Sequence, residues 1–480
     1  MASHATRFVL GMASTAVLAR LLRPEDFGLI AMVTAVVGFV ALFKDLGLST
    51  ATVQRKQISH AQVSTLFWLN VVLSVVATLL TAAIAPWIAA FYGKPELTRI
   101  TVVLAVAFVF GGLTVQHQAL LRRKMRFGRL AVVNIAALCV SIVVGISSAA
   151  LGAGYWSLVF MPIAGSIVAM VGVWLVSGWR PGFPVRGAGV RRMVAFGGNL
   201  TAFGVINYFA RNLDNVLIGR VWGGQALGFY SRAYNLLTLP LRQVNEPIRA
   251  VAIPALSRLQ SEPERFRRYY LRGVSLIMFL TAPVSVLCLV LAEEIILGVL
   301  GPQWLGAVNI FRLLAISALI QPVYNTAGFL YVPTGRTDEL LKYGSIGVAL
   351  IVLSFFVGLP YGPESVALCY SCAMVIWFWP CMHFATRKTL VTVGDIVRTA
   401  LDSLGGAAAG GAAVLAMKYG LGEAMGLWVR LGLGIVIMTA VYLVTVFFLF
   451  GRRRFYGSVF GMLRGSGEKT SDETDGPTNR

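Results

Sequence analysis

About fourteen apolar segments, separated by short polar turns, occupy most of this 480-residue chain. They fall near residues 5–22, 28–43, 63–91, 99–121, 130–152, 154–177, 193–221, 227–257, 270–292, 307–333, 340–360, 364–386, 400–418 and 427–450. Crossing a bilayer as a helix takes about 20 apolar residues, and most of these segments reach that length. In hydrocarbon each backbone polar group must be satisfied within the protein, which leaves helices or closed barrels. The strict polar–apolar alternation of a membrane barrel is absent. The chain therefore reads as an all-α, polytopic membrane protein, and 57% hydrophobic against 13% charged residues agrees.

The net charge of +21 raises the question of nucleic acid, but its distribution answers it. Most Lys and Arg lie in the loops that share a side with the N-terminus, including Arg122-Arg123-Lys124 and Arg191-Arg192, and in the tail at Arg452-Arg453-Arg454. That bias predicts both termini in the cytoplasm, with the basic clusters beside anionic lipid and no nucleic-acid partner. The first span is barely long enough, which leaves two expectations open: a true start further upstream, or an amphipathic piece ahead of it. Residues 452–480 are expected to be a largely disordered cytoplasmic tail. The five cysteines all fall in spans; Cys369 and Cys372 share a face without a second ligand pair, so they read as packing residues.

Two short echoes suggest an internal repeat. Leu18-Ala-Arg20 with Phe27-Gly28-Leu29 matches Ile218-Gly-Arg220 with Leu227-Gly228-Phe229, an offset of 200. APWIAAFYGKP at 85–95 has the same internal Ala-to-Pro spacing as AEEIILGVLGP at 292–302. An even number of spans separates the copies, so they would insert in the same sense. The expected organisation is an N-lobe at 1–180 (helices 1–6), a C-lobe at 181–390 (helices 7–12), two appended helices at 391–451, and the tail. The lobes would be related by an axis along the membrane normal and enclose a central cavity.

The eighth span carries charge where an ordinary span has none. Arg232, Asn235, Arg242, Glu246 and Arg249 follow one another at intervals of 3, 7, 4 and 3, which places all five on one helical face. The seventh adds Asn207, Arg211, Asp214 and Asn215 on one broad face, and Arg312 lies near the outer end of the tenth. A charge at the bilayer centre costs about 2.5–3.5 kcal/mol on insertion scales, so these groups should face water or partners. Pairs Arg211 with Asp214 and Arg242 with Glu246 are spaced for intrahelical contact. Arg232 and Arg312, near helix ends, also suit snorkelling to the interface. A cationic stripe in a membrane interior fits a large anionic cargo, and arginine's planar fork suits a diphosphate well. Asp214 and Glu246 would either hold the arginines or bind a coupling cation. Asn207 and Asn235, with Tyr234 and Tyr324, are candidate sugar contacts.

No phosphate-cradling GxxxxGK[ST] loop, HExxH pair or GxSxG elbow is present, and the four histidines are scattered. This favours a secondary transporter without cofactor or metal over a pump or an enzyme.

Several stretches together resemble Wzx-type polysaccharide-unit flippases of the capsular and exopolysaccharide subgroup. They are ARLLRPEDFGLIAM (19–32), FKDLGLSTATVQRK (43–56), TLFWLN (65–70), APWIAAFYGKPEL (85–97), LLRRKMRF (120–127), NYFARNLDNVLIGRVWGGQALGFYSRAYNLLTLP (207–240) and PALSRLQ (254–260). The resemblance implies the multidrug/oligosaccharidyl-lipid/polysaccharide exporter fold. It also implies the cargo: an undecaprenyl-diphosphate-linked oligosaccharide, moved across the bacterial inner membrane by alternating access for exopolysaccharide, capsule or lipopolysaccharide synthesis. Membrane lipid would be a partner, with a polysaccharide polymerase or export complex downstream; a monomer is the default. A multidrug exporter of the same fold should have an acid-rich cavity, whereas arginine outnumbers acid here. A polymerase or ligase needs a large periplasmic loop, which is missing.

Overall fold

The computed structural model describes residues 2–43, 45, 47–55, 57–185, 191–421 and 425–449, and side chains from residue 6 onward except those of 191–207, 209–211 and 421. The elements are helices α1 (Ala2–Leu21), α2 (Pro24–Ala41), α3 (Leu48–Gln54), α4 (His60–Tyr92), α5 (Glu96–Arg123), α6 (Phe127–Ala150), α7 (Trp156–Ser177) and α8 (Arg191–Arg258). The second part of the chain adds α9 (Pro263–Val290), α10 (Ala292–Val299), α11 (Val308–Tyr324), α12 (Ala327–Tyr331), α13 (Thr337–Gly358), α14 (Pro363–Thr386), α15 (Val393–Leu421) and α16 (Leu427–Val444). No strand occurs among the described residues, as an all-α membrane chain requires.

Among the described residues eleven helical stretches are long and apolar enough to cross a membrane, and each coincides with an expected span. The other three expected spans fall on α1 and on α8, which are helical but interrupted by arginine and other charges. Helix α8, at 68 residues, would reach about 100 Å if straight, far beyond a bilayer. It breaks instead at Gly223, whose φ of 81° and ψ of −175° are open to glycine but strained for other residues. The expected seventh and eighth spans are its two arms. Prolines 240, 247 and 254 lie inside the second arm without ending it.

Local sequence explains where helices start. Pro24 occupies the first turn of α2 while the Asp26 carboxylate accepts from the Arg23 amide at 2.9 Å. Ser59 and Gln62 form a reciprocal capping box on α4.

Contacts divide the chain into two compact units, one of residues 1–239, 292–318 and 341–378, the other of 240–291, 319–340 and 379–480. Within the first, α4 packs on α5, α5 on α7, α6 on α7, and α1 on α6. A polar chain threads its interior. Thr52 donates to Gln116, Gln116 to Asn70 and Asn70 to Asp45, at 3.0, 3.0 and 3.3 Å. Gln116 and His117 are fully buried. His117 stacks on Trp174 with centroids 4.6 Å apart.

The first unit also holds a backbone crossing between the starts of α2 and of the second arm of α8. A Cβ built on Gly28 would lie 2.5 Å from the Gly224 carbonyl carbon, and one on Gly228 would lie 2.7 Å from that of Pro24. Residues 24 and 28 therefore meet residues 224 and 228, each the counterpart of the other at the 200-residue offset. Trp304 lies beside the crossing, edge-on to Phe27 (5.3 Å) and Phe229 (6.0 Å), and donates to the Ala19 carbonyl at 2.8 Å.

In the second unit the glycine-rich α15 packs on α9 and α16. Gly411 meets Val286 of α9, and Gly406 and Gly410 meet Val446, Tyr442 and Met438. Small residues let helix backbones approach where hydrocarbon supplies no driving force for association. Arg267 forks onto the Asp395 carboxylate at 2.7 and 3.1 Å. The buried Arg336 reaches Glu339 and the Phe384 and Ala385 carbonyls, while Lys388 completes the Glu339 pairing.

Candidate functional site

The charged residues of α8 are not equivalent. In the second unit Arg242, Glu246 and Arg249 are exposed, and no ion pair joins Arg242 to Glu246, although their spacing allows one. Their helix is continuous, so Arg242 and Arg249 are separated by a rise of about 10 Å with the carboxylate between them. Exposed arginines are costly against hydrocarbon, so a face of this kind suits water or a charged ligand. Chemically it offers two guanidinium forks for phosphate or carboxylate oxygens, arranged along a line.

In the first unit Asn235 and Arg312 are exposed, and Arg312 donates to the Asn309 side chain at 3.4 Å. Arg232 is different. It lies over the Phe27 ring, 4.6 Å from its centroid, and its buried Nε has no hydrogen-bond partner. The contact with the aromatic face offsets part of the cost of burial. The side chain is half-buried, packed against the aromatic face of α2.

Asp214 is buried, and its described partners are not arginines. It accepts from the Tyr230 hydroxyl at 3.1 Å and from the Asn215 amide at 2.8 Å. Tyr230 lies on the other arm of α8, so this bond pins the hairpin closed on either side of Gly223. The side chains of Asn207 and Arg211 lie outside the described residues, as do Lys44 and the tail at 452–480.

Tyr230 and Phe27 were not legible as site residues. Tyr230 is sixteen positions from Asp214, beyond any helical repeat, and only the break at Gly223 brings the two together. Phe27 is one apolar residue among many until α2 crosses α8. Among the described residues no group of three or more His, Cys, Asp or Glu could hold a metal ion.

Comparison with known proteins gives this arrangement a context. A family model described as "Polysaccharide biosynthesis protein" matches residues 17–309. The lipopolysaccharide biosynthesis protein WzxC of Escherichia coli K12 is 27% identical over 355 residues, covering 73% of this chain and 71% of that protein. The teichuronic acid biosynthesis protein TuaB of Bacillus subtilis 168 is 29% identical over 355 residues, covering 71% of each. Among solved structures, the lipid II flippase MurJ in an inward closed conformation superposes with a TM-score of 0.75 at 15% identity, covering 95% of this chain and 98% of that one. At that identity the likeness establishes the fold.

Proposed function

The chain belongs to the polysaccharide biosynthesis protein family, whose model covers more than half of it, and from that membership we propose how it works as a flippase for lipid-linked oligosaccharides. The cargo is a polyprenyl-diphosphate-linked repeat unit, undecaprenyl in bacteria, carried from the cytoplasmic to the outer leaflet of the inner membrane. Both termini lie in the cytoplasm. Residues 1–180 and 181–390 act as the two lobes, with the helices of 391–451 appended to the second.

The observation that carries the reading is the exposed Arg242–Glu246–Arg249 face on a long helix of a multi-pass chain with this family membership. A diphosphate is the anionic part of such a cargo nearest the membrane, and guanidinium groups bind it by charge-assisted, bidentate hydrogen bonds. Arg249 and Arg242 would engage it successively, the first being nearer the cytoplasmic end of α8. The polyprenyl tail stays in lipid while the sugar and diphosphate cross in water. Arg211, Arg312, Asn207 and Asn235 extend the binding surface toward the sugars. Glu246 keeps the two arginine sites distinct by placing a carboxylate between them.

The test is the sidedness of lipid-linked oligosaccharide in cells depleted of the protein. Complete units should accumulate on the cytoplasmic face, out of reach of externally added glycan-binding probes. Complete units exposed on the outer face would point instead to a polymerase or ligase.

A further inference from the structure

We propose that residues 178–185, between the sixth and seventh expected spans, form a non-helical strap embedded in the inner-leaflet interface, with phospholipid covering its outer face. The choice of leaflet rests on the orientation proposed above; the embedding does not. One face of α4, a helix long and apolar enough to cross a membrane, is given over to holding the strap's backbone. The strap's own apolar side chains are left exposed.

Helix α7 has 22 residues, a length of about 33 Å that crosses the hydrocarbon with little to spare. Gly178, at φ 62°, then turns the chain. The segment that follows folds back along the bundle. Trp179 packs on Phe67 and His117, with ring centroids 5.9 and 5.0 Å apart. Beyond it the backbone is bonded to the first turns of α4. His60 Nε2 donates to the Arg180 carbonyl at 3.2 Å, and the Gly182 amide donates to the Ser64 hydroxyl at 3.0 Å. The Trp68 indole donates to the Gly182 carbonyl at 2.9 Å, and the Val185 amide to the Thr65 hydroxyl at 3.1 Å. Ser64 in turn reaches His60 Nδ1 at 3.4 Å, so one neutral tautomer of His60 serves both of its bonds.

His60, Ser64, Thr65 and Trp68 follow one another at intervals of 4, 1 and 3, on one broad face of α4. They cover a rise of about 12 Å from the start of the helix. The strap is therefore level with the first turns of a span rather than beyond its end. Irregular backbone at membrane depth is tolerated where protein satisfies its polar groups. The α4 face does so here, and Pro181 and Pro184 remove two N–H groups that would need acceptors. Phe183 is nevertheless 89% exposed and Val185 50%, although the backbone that carries them is fixed to protein. At the boundary of headgroups and acyl chains both side chains would be covered by lipid. The exposed Arg180 beside them offers headgroup phosphates a guanidinium.

The experiment places a nitroxide on Phe183→Cys in full-length protein whose five cysteines are replaced by alanine. The protein is reconstituted in vesicles of phosphatidylethanolamine and phosphatidylglycerol. Met125→Cys is the comparison, since Met125 is also exposed but sits in the α5–α6 turn among Arg122, Lys124 and Arg126. The label at 183 should collide more often with oxygen, which concentrates among acyl chains, than with a water-soluble nickel chelate. The label at 125 should show the reverse. A label at 183 as open to the chelate as the one at 125 overturns the proposal. So does a label open to the chelate in these vesicles but shielded in native membranes, because its cover would then be a protein.

Hydrogen exchange on the unaltered protein tests the strap without any cysteine change. In the same vesicles the Gly182 and Val185 amides should exchange slowly. Ser64→Ala together with Thr65→Val removes both acceptors and should speed the two amides about tenfold or more. Fast exchange of both amides in the unaltered protein, or unchanged exchange in the double variant, overturns the strap. None of these readouts involves transport. Failure of the flippase reading would leave the strap standing, and failure of the strap would leave that reading untouched.

Discussion

Asp214 can act as a structural acceptor or as a coupling residue, and its hydrogen bonds make the two measurably different. Its carboxyl is buried and takes one bond from Tyr230 at 3.1 Å and one from its neighbour's amide at 2.8 Å. Tyr230→Phe deletes the first donor and leaves the ring, itself 1% exposed, in place. Leaving a buried acceptor short of a donor costs roughly 1–3 kcal/mol, toward the upper end when the acceptor is charged. In a chain of this size about 2 kcal/mol corresponds to a fall in melting temperature of roughly 2 °C. The assay is thermal unfolding of purified protein in detergent, combined with Asp214→Asn and the double variant in a cycle. The carboxamide keeps an acceptor for Tyr230, so Asp214→Asn should cost less than Tyr230→Phe. The coupling between the two sites should be about 1–2 kcal/mol. Asp214→Asn should retain transport. The reasoning is refuted if Tyr230→Phe leaves the melting temperature unchanged while Asp214→Asn abolishes transport at full stability, because the carboxyl would then act through its charge.

Other predictions follow the same residues outward. Arg242→Ala should abolish outer-leaflet delivery while cytoplasmic assembly of the lipid-linked unit continues; normal delivery would make the charged face structural. Arg242→Lys should recover only part of the transport rate, since a point charge replaces a fork, and full recovery would argue against bidentate phosphate contact. Arg336→Met should destabilise the second unit by about 3 kcal/mol, read as reduced melting temperature, because it strands two carbonyls and weakens the Glu339 pairing. Gly411→Leu should separate α15 from α9, where Val286 now fills the space; unaltered melting and yield would show that these helices are not held by close approach.

Apolar run length and short loops were enough to specify a helical, multi-pass membrane protein, because hydrocarbon leaves a backbone few alternatives. The positions of eleven spans could be read for the same reason. Regular spacing along one helix also identified the α8 face, since 3.6-residue periodicity is a local property. Even the pairing of Gly28 with Gly228 left a trace as two matching triplets 200 residues apart. What sequence spacing could not decide was which neighbours these residues keep. The expected partner of Asp214 was an arginine three residues away, whose side chain lies outside the described residues; the partner that spacing could not reveal is Tyr230, which the break at Gly223 brings in from the other arm. Arg232 belonged to the same stripe as Arg242, but the crossing of α2 lays it over Phe27, half-buried. Periodicity assigns a residue to a face of its own helix; what that face meets depends on helix crossings made by residues tens or hundreds of positions away, and only the tertiary structure fixes those.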